Sequence, residues 1–180
     1  FCRLLDDLAD DKSNKLLELQ KYKDFLSRIP IKIAGNNIIK FLERHKIKQT
    51  VIKDLIDGFI FDQGLVRIEN KQQLIIYCYQ VAGTVGLMMS AILKPYKNYA
   101  NKFAIDLGIA MQLTNIARDI KEDVLDHNRQ YLPLQMTSKI SFEDLHSISL
   151  GHKDKGKSQN IKNAIFEILK ISNDYYISGM

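Results

Sequence analysis

Four aspartates fall within six residues in the stretch FCRLLDDLADD, residues 1–11. On a helix each residue turns by about 100°, so Arg3, Asp6 and Asp10 share one stripe, with Asp7 and Asp11 beside it. Carboxylates this close repel one another unless a cation sits among them. Taken alone, the spacing suits a cation site and a solvated acidic helix end about equally. A second polar stripe lies in AIDLGIAMQLTNIARDIKEDVLDHNRQYLP, residues 104–133. Gln112, Asn115, Asp119 and Asp123 are spaced by three, four and four residues, so three turns of helix keep them on one face. Their neighbours are Ile, Leu, Met and Ala, and Gly108 stands one turn before Gln112, leaving space on the same stripe. A solvated face would carry Lys and Glu, as Lys121 and Glu122 do. Amides and carboxylates in a row suit a cavity wall that holds something polar.

Paired carboxylates with a neighbouring amide oxygen are hard oxygen ligands of the kind Mg²⁺ takes, usually together with substrate phosphates. Two such stripes facing each other across a helical bundle could clamp a diphosphate through several Mg²⁺ ions. Arg3, Arg118 and Arg129 could then meet the remaining phosphate oxygens. The implied chemistry is ionisation of an allylic diphosphate, with an apolar cavity receiving the carbocation.

The stretch YCYQVAGTVGLMM, residues 77–89, supplies a candidate for that cavity's wall. A helix interior prefers Leu and Ala, and each interior glycine costs about 1 kcal/mol relative to alanine. Gly83 and Gly86 therefore predict a kink or a close approach by another chain segment or ligand. Tyr77, Val81, Thr84, Val85 and Met88 fall on one face. An apolar wall with one tyrosine suits a prenyl chain and a cationic intermediate, whose charge the ring can stabilise and whose proton the hydroxyl can handle. Ordinary helix packing around small residues is the simpler account of this stretch on its own.

The elements that must position these residues read as helices throughout. Apolar periodicity predicts them at about 1–12, 15–27, 36–46, 50–61, 71–93, 98–125, 141–148 and 158–177, punctuated by Pro30, residues 63–70, Pro95 and Pro133. Ser141 with Asp144 three residues on reads as a capping box with Asp for Glu. The polar stretch GHKDKGKSQN, 151–160, reads as a mobile loop. Strand alternation is nearly absent, so the expected architecture is an all-α bundle. The 180 residues, 46% hydrophobic, suffice for one core, and a single domain spanning 1–180 is expected. The chain starts inside a helical pattern without Met and stops after another, which suggests a piece of a longer protein.

Bulk charge excludes little but directs attention. There are 26 Lys and Arg against 21 Asp and Glu, a net charge of +5, interspersed rather than striped. Nucleic-acid binding would call for a basic stripe on a recognisable module, and neither is evident. Weak attraction to an anionic membrane surface is compatible with that charge. Cys2 and Cys78 sit in no metal-ligand or disulfide spacing, which fits a reducing, cytoplasmic setting. No signal peptide and no unbroken apolar run of membrane-spanning length is seen.

Together these motifs resemble the squalene/phytoene synthase family, the head-to-head prenyl synthases. DDLADD resembles its first aspartate-rich motif, YCYQVAGTVGLMM its Tyr-Cys…Val-Ala-Gly…Val-Gly signature, and GIAMQLTNIARDIKEDV…NRQYLP its second aspartate-rich motif with the Arg-x-Tyr-Leu-Pro that follows. The wording is most similar to bacterial phytoene synthases. The resemblance implies an isoprenoid synthase helical bundle around a central apolar cavity and dependence on Mg²⁺, which Mn²⁺ could replace, without NADPH. It implies condensation of two prenyl diphosphates through a cyclopropyl intermediate, with geranylgeranyl diphosphate giving phytoene. By resemblance Asp6 and Asp10 are the first metal pair, and Asn115, Asp119 and Asp123 the second group. Arg3 and Arg118 match diphosphate-contacting positions, Gln112 a polar pocket position, and Tyr77 a catalytic tyrosine. Val81, Ala82, Val85 and Gly86 match pocket-lining positions.

Several departures and rivals bear on that reading. Members of the family extend further at both ends, where a substrate flap and a pocket-closing helix lie, and the spacer from Asp123 to Arg129 is one residue longer than in many. A farnesyl-using squalene or dehydrosqualene synthase is the alternative, and oligomeric state stays open. Asp6-Asp7-Leu8-Ala9-Asp10 also satisfies the DDxxD of head-to-tail synthases, and Asn115, Asp119 and Asp123 the triad of terpene cyclases, but neither accounts for YCYQVAGTVG or RQYLP. A non-catalytic relative serving assembly should have lost acidic ligands, and both sets are intact.

Overall fold

The computed structural model describes residue 20 and residues 37–93 and 100–180, with backbone alone for 37–39. The expected helices at 1–12 and 15–27, and with them Arg3, Asp6 and Asp10, lie outside the described residues. Among those described, every regular element is helical, as expected: α1 (Asn37–Arg44), α2 (Gln49–Phe61), α3 (Lys71–Cys78), a π-helical turn (Tyr79–Gly83), α4 (Thr84–Leu93), α5 (Ala100–Arg118), α6 (Ile120–Leu125), α7 (Phe142–Ser149) and α8 (Lys155–Gly179).

Helix α5 is the centre. α8, α4, the π turn and α3 all pack on it, and α2 packs on the π turn and α4 from the other side. A helix touched on several sides must be apolar on several sides. Asp106, Ile109, Ala110, Leu113 and Ile116 of α5 are all buried. Asp106 is tolerated because Ser178 of α8 donates to its carboxylate at 2.6 Å. Ser172 likewise ties α8 to the Ala110 carbonyl at 2.9 Å. The main core gathers Ile109, Leu113, Ile116, Val124, Leu145 and Ile168. A second cluster, Leu42, Ile47, Ile52, Leu55, Ile56 and Met88, joins α1, α2 and α4.

Local chemistry sets the helix ends. Asn70 caps α3 by accepting from the Gln73 N–H at 3.0 Å, while the Gln73 side chain returns a bond from the Glu69 N–H at 2.8 Å. Ser141 caps α7 as anticipated, accepting from the Asp144 N–H. The Asp144 carboxylate, however, turns to Lys157 at 2.6 Å instead of closing a box. The polar stretch expected as a loop over 151–160 is helical from Lys155. Asp154 accepts from the Lys157 N–H at 2.9 Å and starts α8 three residues earlier than periodicity implied.

The glycines do what their positions demanded. The 71–93 helix carries a one-turn π segment across Tyr79–Gly83, and on its far side α4 lies backbone to backbone against α5. A Cβ on Gly108 would stand 2.5 Å from the Ala82 carbonyl oxygen, and one on Gly86 would overlap the Ala104 carbonyl. Gly108 thus makes room for a neighbouring main chain rather than for open space beside Gln112. The span Lys71–Leu93 is also long and apolar enough, by length and composition, to cross a membrane. Gly83, Thr84, Gly86 and Ser90 break it into shorter apolar runs. Its Leu74, Cys78, Thr84 and Met88 are buried within this fold.

The contact yields a test. Gly108→Ala should gain about 1 kcal/mol of helix propensity yet lose about 1–3 kcal/mol by overpacking against a backbone that cannot swing aside. The clash should win, and the variant should melt below wild type. A thermal melt at or above the wild-type midpoint would show that the π turn and α5 can separate without penalty.

Candidate active site

Along the α4–α5 contact runs an apolar cavity of about 520 Å³. Val81, Ala82, Val85, Gly86 and Met89 form one wall, and Ala104, Leu107, Gly108 and Met111 the other. Gln112 and Asn115 stand at its polar end. The wall expected from Tyr77, Val81, Thr84, Val85 and Met88 is therefore divided. Val81 and Val85 face the cavity, Thr84 is fully buried and bonded to the Gln80 carbonyl at 2.7 Å, and Met88 joins the second core cluster. Val85 lies at one edge of that face and Thr84 and Met88 toward the other, and the wider π turn shifts Tyr77 out of register with all three.

Asn115, Asp119 and Asp123 keep a common stripe although α5 ends at Arg118. The Asp119 N–H bonds the Asn115 carbonyl at 2.8 Å and the Asp123 N–H bonds the Asp119 carbonyl at 2.9 Å, so helical spacing passes through the break. The stripe thus begins at the polar end of the cavity and continues one and two turns beyond it. Asp119 itself is not bare. Arg118 grips it with two bonds of 2.7 Å, holding its carboxyl below the usual range through that hydrogen bond. An adjacent guanidinium thus answers the Asp119 charge. The strain falls instead on Asp123. Burial, then the charge of Asp119, push its carboxyl up to about 7, with Arg129 pulling the other way and Asp62 and Glu122 adding to the rise.

Tyr77 lies away from the apolar cavity. It is buried, its ring stacked on Tyr131 at 4.9 Å and tilted against Phe61 at 5.6 Å. Its hydroxyl meets the Asp62 carboxylate at 2.9 Å and the Tyr131 oxygen at 3.0 Å. Tyr131 in turn donates to Asp62 at 2.6 Å, and Arg129 donates to the Asp62 carbonyl at 3.1 Å. Burial first, then the Asp62 charge, hold both phenols well above their ordinary pKa. Burial also raises the Cys78 thiol, which is therefore an inert core group.

These groups meet because two extended segments pair. Gln130 and Val66 bond at 3.1 Å, and Gln130 and Ile68 at 3.4 Å, flanking an isolated parallel bridge between Arg67 and Gln130. Arg67 stacks on Phe142 at 3.8 Å and donates to the Asn128 carbonyl, pinning the loop that carries Arg129. Asp123, Arg129 and Tyr131 share the wall of a void of about 10 Å³. Sequence reading missed Asp62, Arg67 and the role of Tyr131. Tyr131 stood in the quoted RQYLP, and Asp62 ends an apolar helix immediately before the punctuating 63–70 segment.

The described residues contain no cluster of three His, Cys, Asp or Glu side chains arranged as a metal cage. What they offer is two carboxylates and an amide oxygen on one stripe, with Asp6 and Asp10 outside the described residues. That donor chemistry fits Mg²⁺. The Asp123 carboxyl is raised by burial first and by the Asp119 charge second, so positive charge nearby would favour its ionised form.

The helical bundle, the apolar cavity and the acidic stripe at its polar end define an isoprenoid-synthase-type fold. It is shared with a squalene synthase from Alicyclobacillus acidocaldarius (TM-score 0.70, 18% identity, 99% of this chain and 76% of that one). A dehydrosqualene synthase gives a TM-score of 0.63 at 22% identity, over 98% of this chain and 64% of that one. The squalene/phytoene synthase family model matches residues 1–180, and the chain belongs to that family. It is 38% identical to a phytoene synthase of Thermus thermophilus over 81% of this chain and 52% of the relative. It is 36% identical to a 15-cis-phytoene synthase of Enterobacter agglomerans over 74% of this chain and 50% of that one. The chain spans about half the length of these curated relatives.

Asp123 makes the electrostatics testable. Its folded pKa of about 7 lies above the ordinary 3.8, so the folded state holds a proton that the unfolded chain releases earlier. Without divalent cation, stability should therefore fall as pH rises from about 4 to about 7. Asp123→Asn should flatten that slope and melt higher than wild type at pH 8. Parallel melting curves for the two proteins across this range would remove the strain assigned to Asp123.

Proposed function

We propose that the chain carries the catalytic core of a head-to-head prenyltransferase that condenses two molecules of geranylgeranyl diphosphate to phytoene through a cyclopropyl diphosphate intermediate. The observation that carries the reading is the apolar cavity ending at Gln112 and Asn115, with Asp119 and Asp123 one and two turns beyond. The cavity would hold a prenyl tail, and the stripe the diphosphate. The names of the phytoene synthases it resembles support the C20 substrate.

In this mechanism Asn115, Asp119 and Asp123 would hold Mg²⁺, joined by Asp6 and Asp10. When bound, Mg²⁺ supplies positive charge that neutralises a departing diphosphate. Arg118 would release Asp119 to contact phosphate, and Arg129, already beside Asp123, would contribute a fixed donor fork. The walls from Val81 to Met89 and from Ala104 to Met111 exclude water, so a carbocation formed there survives long enough to react with the second tail. Tyr77 acts from its own buried trio on proton position rather than as a wall of the cavity. A hydrocarbon product would leave by weak peripheral contact of this net-positive chain with an anionic membrane on the cytoplasmic side.

The test uses the full-length protein with Mg²⁺ and either geranylgeranyl or farnesyl diphosphate, with and without NADPH, followed by product identification. Phytoene formation without NADPH, abolished by chelator, is expected. Faster use of farnesyl diphosphate, or a hydrocarbon that forms only with NADPH, would move the protein to squalene-type chemistry. Turnover undiminished in excess chelator would end the metal assignment. Asp119→Asn adds a stability arm. Its pair with Arg118 is exposed and screened by solvent, so the metal-free melt should barely move. The gain that Mg²⁺ and inorganic diphosphate give wild type, about 2.7 kcal/mol at a hundred times the dissociation constant, should largely vanish.

A further inference from the structure

We infer that Asp62 is a positioning residue for Tyr77, holding its hydroxyl as a hydrogen-bond donor through a trio shared with Tyr131. The reasoning is proton counting. Three oxygen contacts join the trio: Tyr77 to Asp62 at 2.9 Å, Tyr131 to Asp62 at 2.6 Å, and Tyr77 to Tyr131 at 3.0 Å. Each neutral phenol has one proton and an ionised carboxylate has none, so two protons serve three contacts. The Tyr131–Asp62 contact has the length of a charge-assisted bond, which commits the Tyr131 proton to Asp62. The Tyr77 proton then has two acceptors, the second carboxylate oxygen and the Tyr131 oxygen. In both arrangements Tyr77 donates.

The scaffold holds this node from every side. Asp62 is the residue at which α2 stops, and its N–H bonds the Gly58 carbonyl at 3.2 Å. Arg129 donates to its carbonyl, and the stacked Tyr131 ring and Phe61 confine Tyr77. Three chain segments separated by 15 and 69 residues thus meet at one carboxylate. Replacing that carboxylate with an amide keeps the shape and reverses the logic. The amide brings two protons of its own, and with its nitrogen in the place of the oxygen that Tyr77 meets it turns that hydroxyl from donor to acceptor.

The inference rests on the proposed function for its activity readout but not for its stability readout. Full-length Asp62→Asn, Tyr77→Phe and the double variant would be assayed with geranylgeranyl diphosphate and Mg²⁺, then melted without metal. Asp62→Asn should lose about 10²-fold or more in kcat with KM little changed. The double variant should be no worse than the weaker single one, because both changes act through the same hydroxyl. In the melts, Tyr77→Phe should lower the midpoint in wild type and shift it far less in the Asp62→Asn background. Near-wild-type kcat in Asp62→Asn, losses that multiply, or melting shifts that simply add would each overturn the inference. If Asp62→Asn does not fold, Tyr131→Phe reads the same trio without touching the end of α2. Tyr77 keeps its donor bond there, so the loss should be far smaller than in Tyr77→Phe, and an equal loss overturns the inference. Should wild type make no product from either diphosphate, the functional reading falls and the melting cycle still decides the role of Asp62.

Discussion

Everything at the candidate site depends on two helices touching through their backbones. Gly86 against Ala104 and Gly108 against Ala82 remove the side chains that would otherwise keep α4 and the π turn away from α5. Helices usually pack with axes 8–10 Å apart, at a distance their contact side chains decide. Removing those side chains lets the neighbouring positions, Val81, Val85, Leu107 and Met111, form two flanking walls rather than a filled interface. The glycines thus cost helix propensity and leave open a cavity that ordinary Leu packing would fill. The π turn belongs to the same solution. It lets Gly83 and Gly86 face α5 while Tyr77 and Cys78, a turn earlier, stay in the main core.

The polar half is placed by a different device. Residues 66–68 and 130 meet through one isolated parallel bridge, and Arg67 clamps the 128–130 loop against Phe142. This pairing brings the end of α2, the end of α3 and the segment after α6 to one point. Hydrocarbon space and charged apparatus therefore have separate supports, joined by the continuous hydrogen bonding from Asn115 through Asp119 to Asp123.

What could be read from the chain follows this division. Helices 49–61, 71–93 and 142–149 and the Gln112–Asp123 stripe were legible because they are local, set by periodicity and i, i+4 spacing. The glycines announced a close approach, but not that its partner was Ala104 or Ala82, which is a long-range fact. The placement of Tyr77 could not be read, since a π turn shifts the register of everything beyond it and leaves no clear mark in the sequence. Asp62 was hidden for a similar reason. An aspartate after an apolar helix usually reads as a solvated end, and its importance comes from Tyr77 and Tyr131 arriving from elsewhere. The start of α8 was misplaced because Lys, Gly and Ser outweighed one good cap at Asp154.

The unequal fates of two neighbouring aspartates bring the two halves together. Asp119, at the break between α5 and α6, reaches an exposed guanidinium next to it in sequence and has its charge answered there. Asp123, one turn on, is more buried and faces Asp119, Asp62 and Glu122 with Arg129 as its counterweight. A carboxylate is thereby kept in a setting where its charge is poorly supported, next to one that is easily freed from a surface arginine. Such a pair is costly to a protein that uses it only for packing, because apolar residues of similar size would stabilise the fold more. It makes physical sense where a cation is to be received. On the proposed reading, Arg118 would hold one carboxylate in register through an exposed, weak pair, and arriving positive charge would relieve the strain on Asp123. The apolar cavity ends beside this pair, so the place where charge is wanted and the place where water is excluded adjoin.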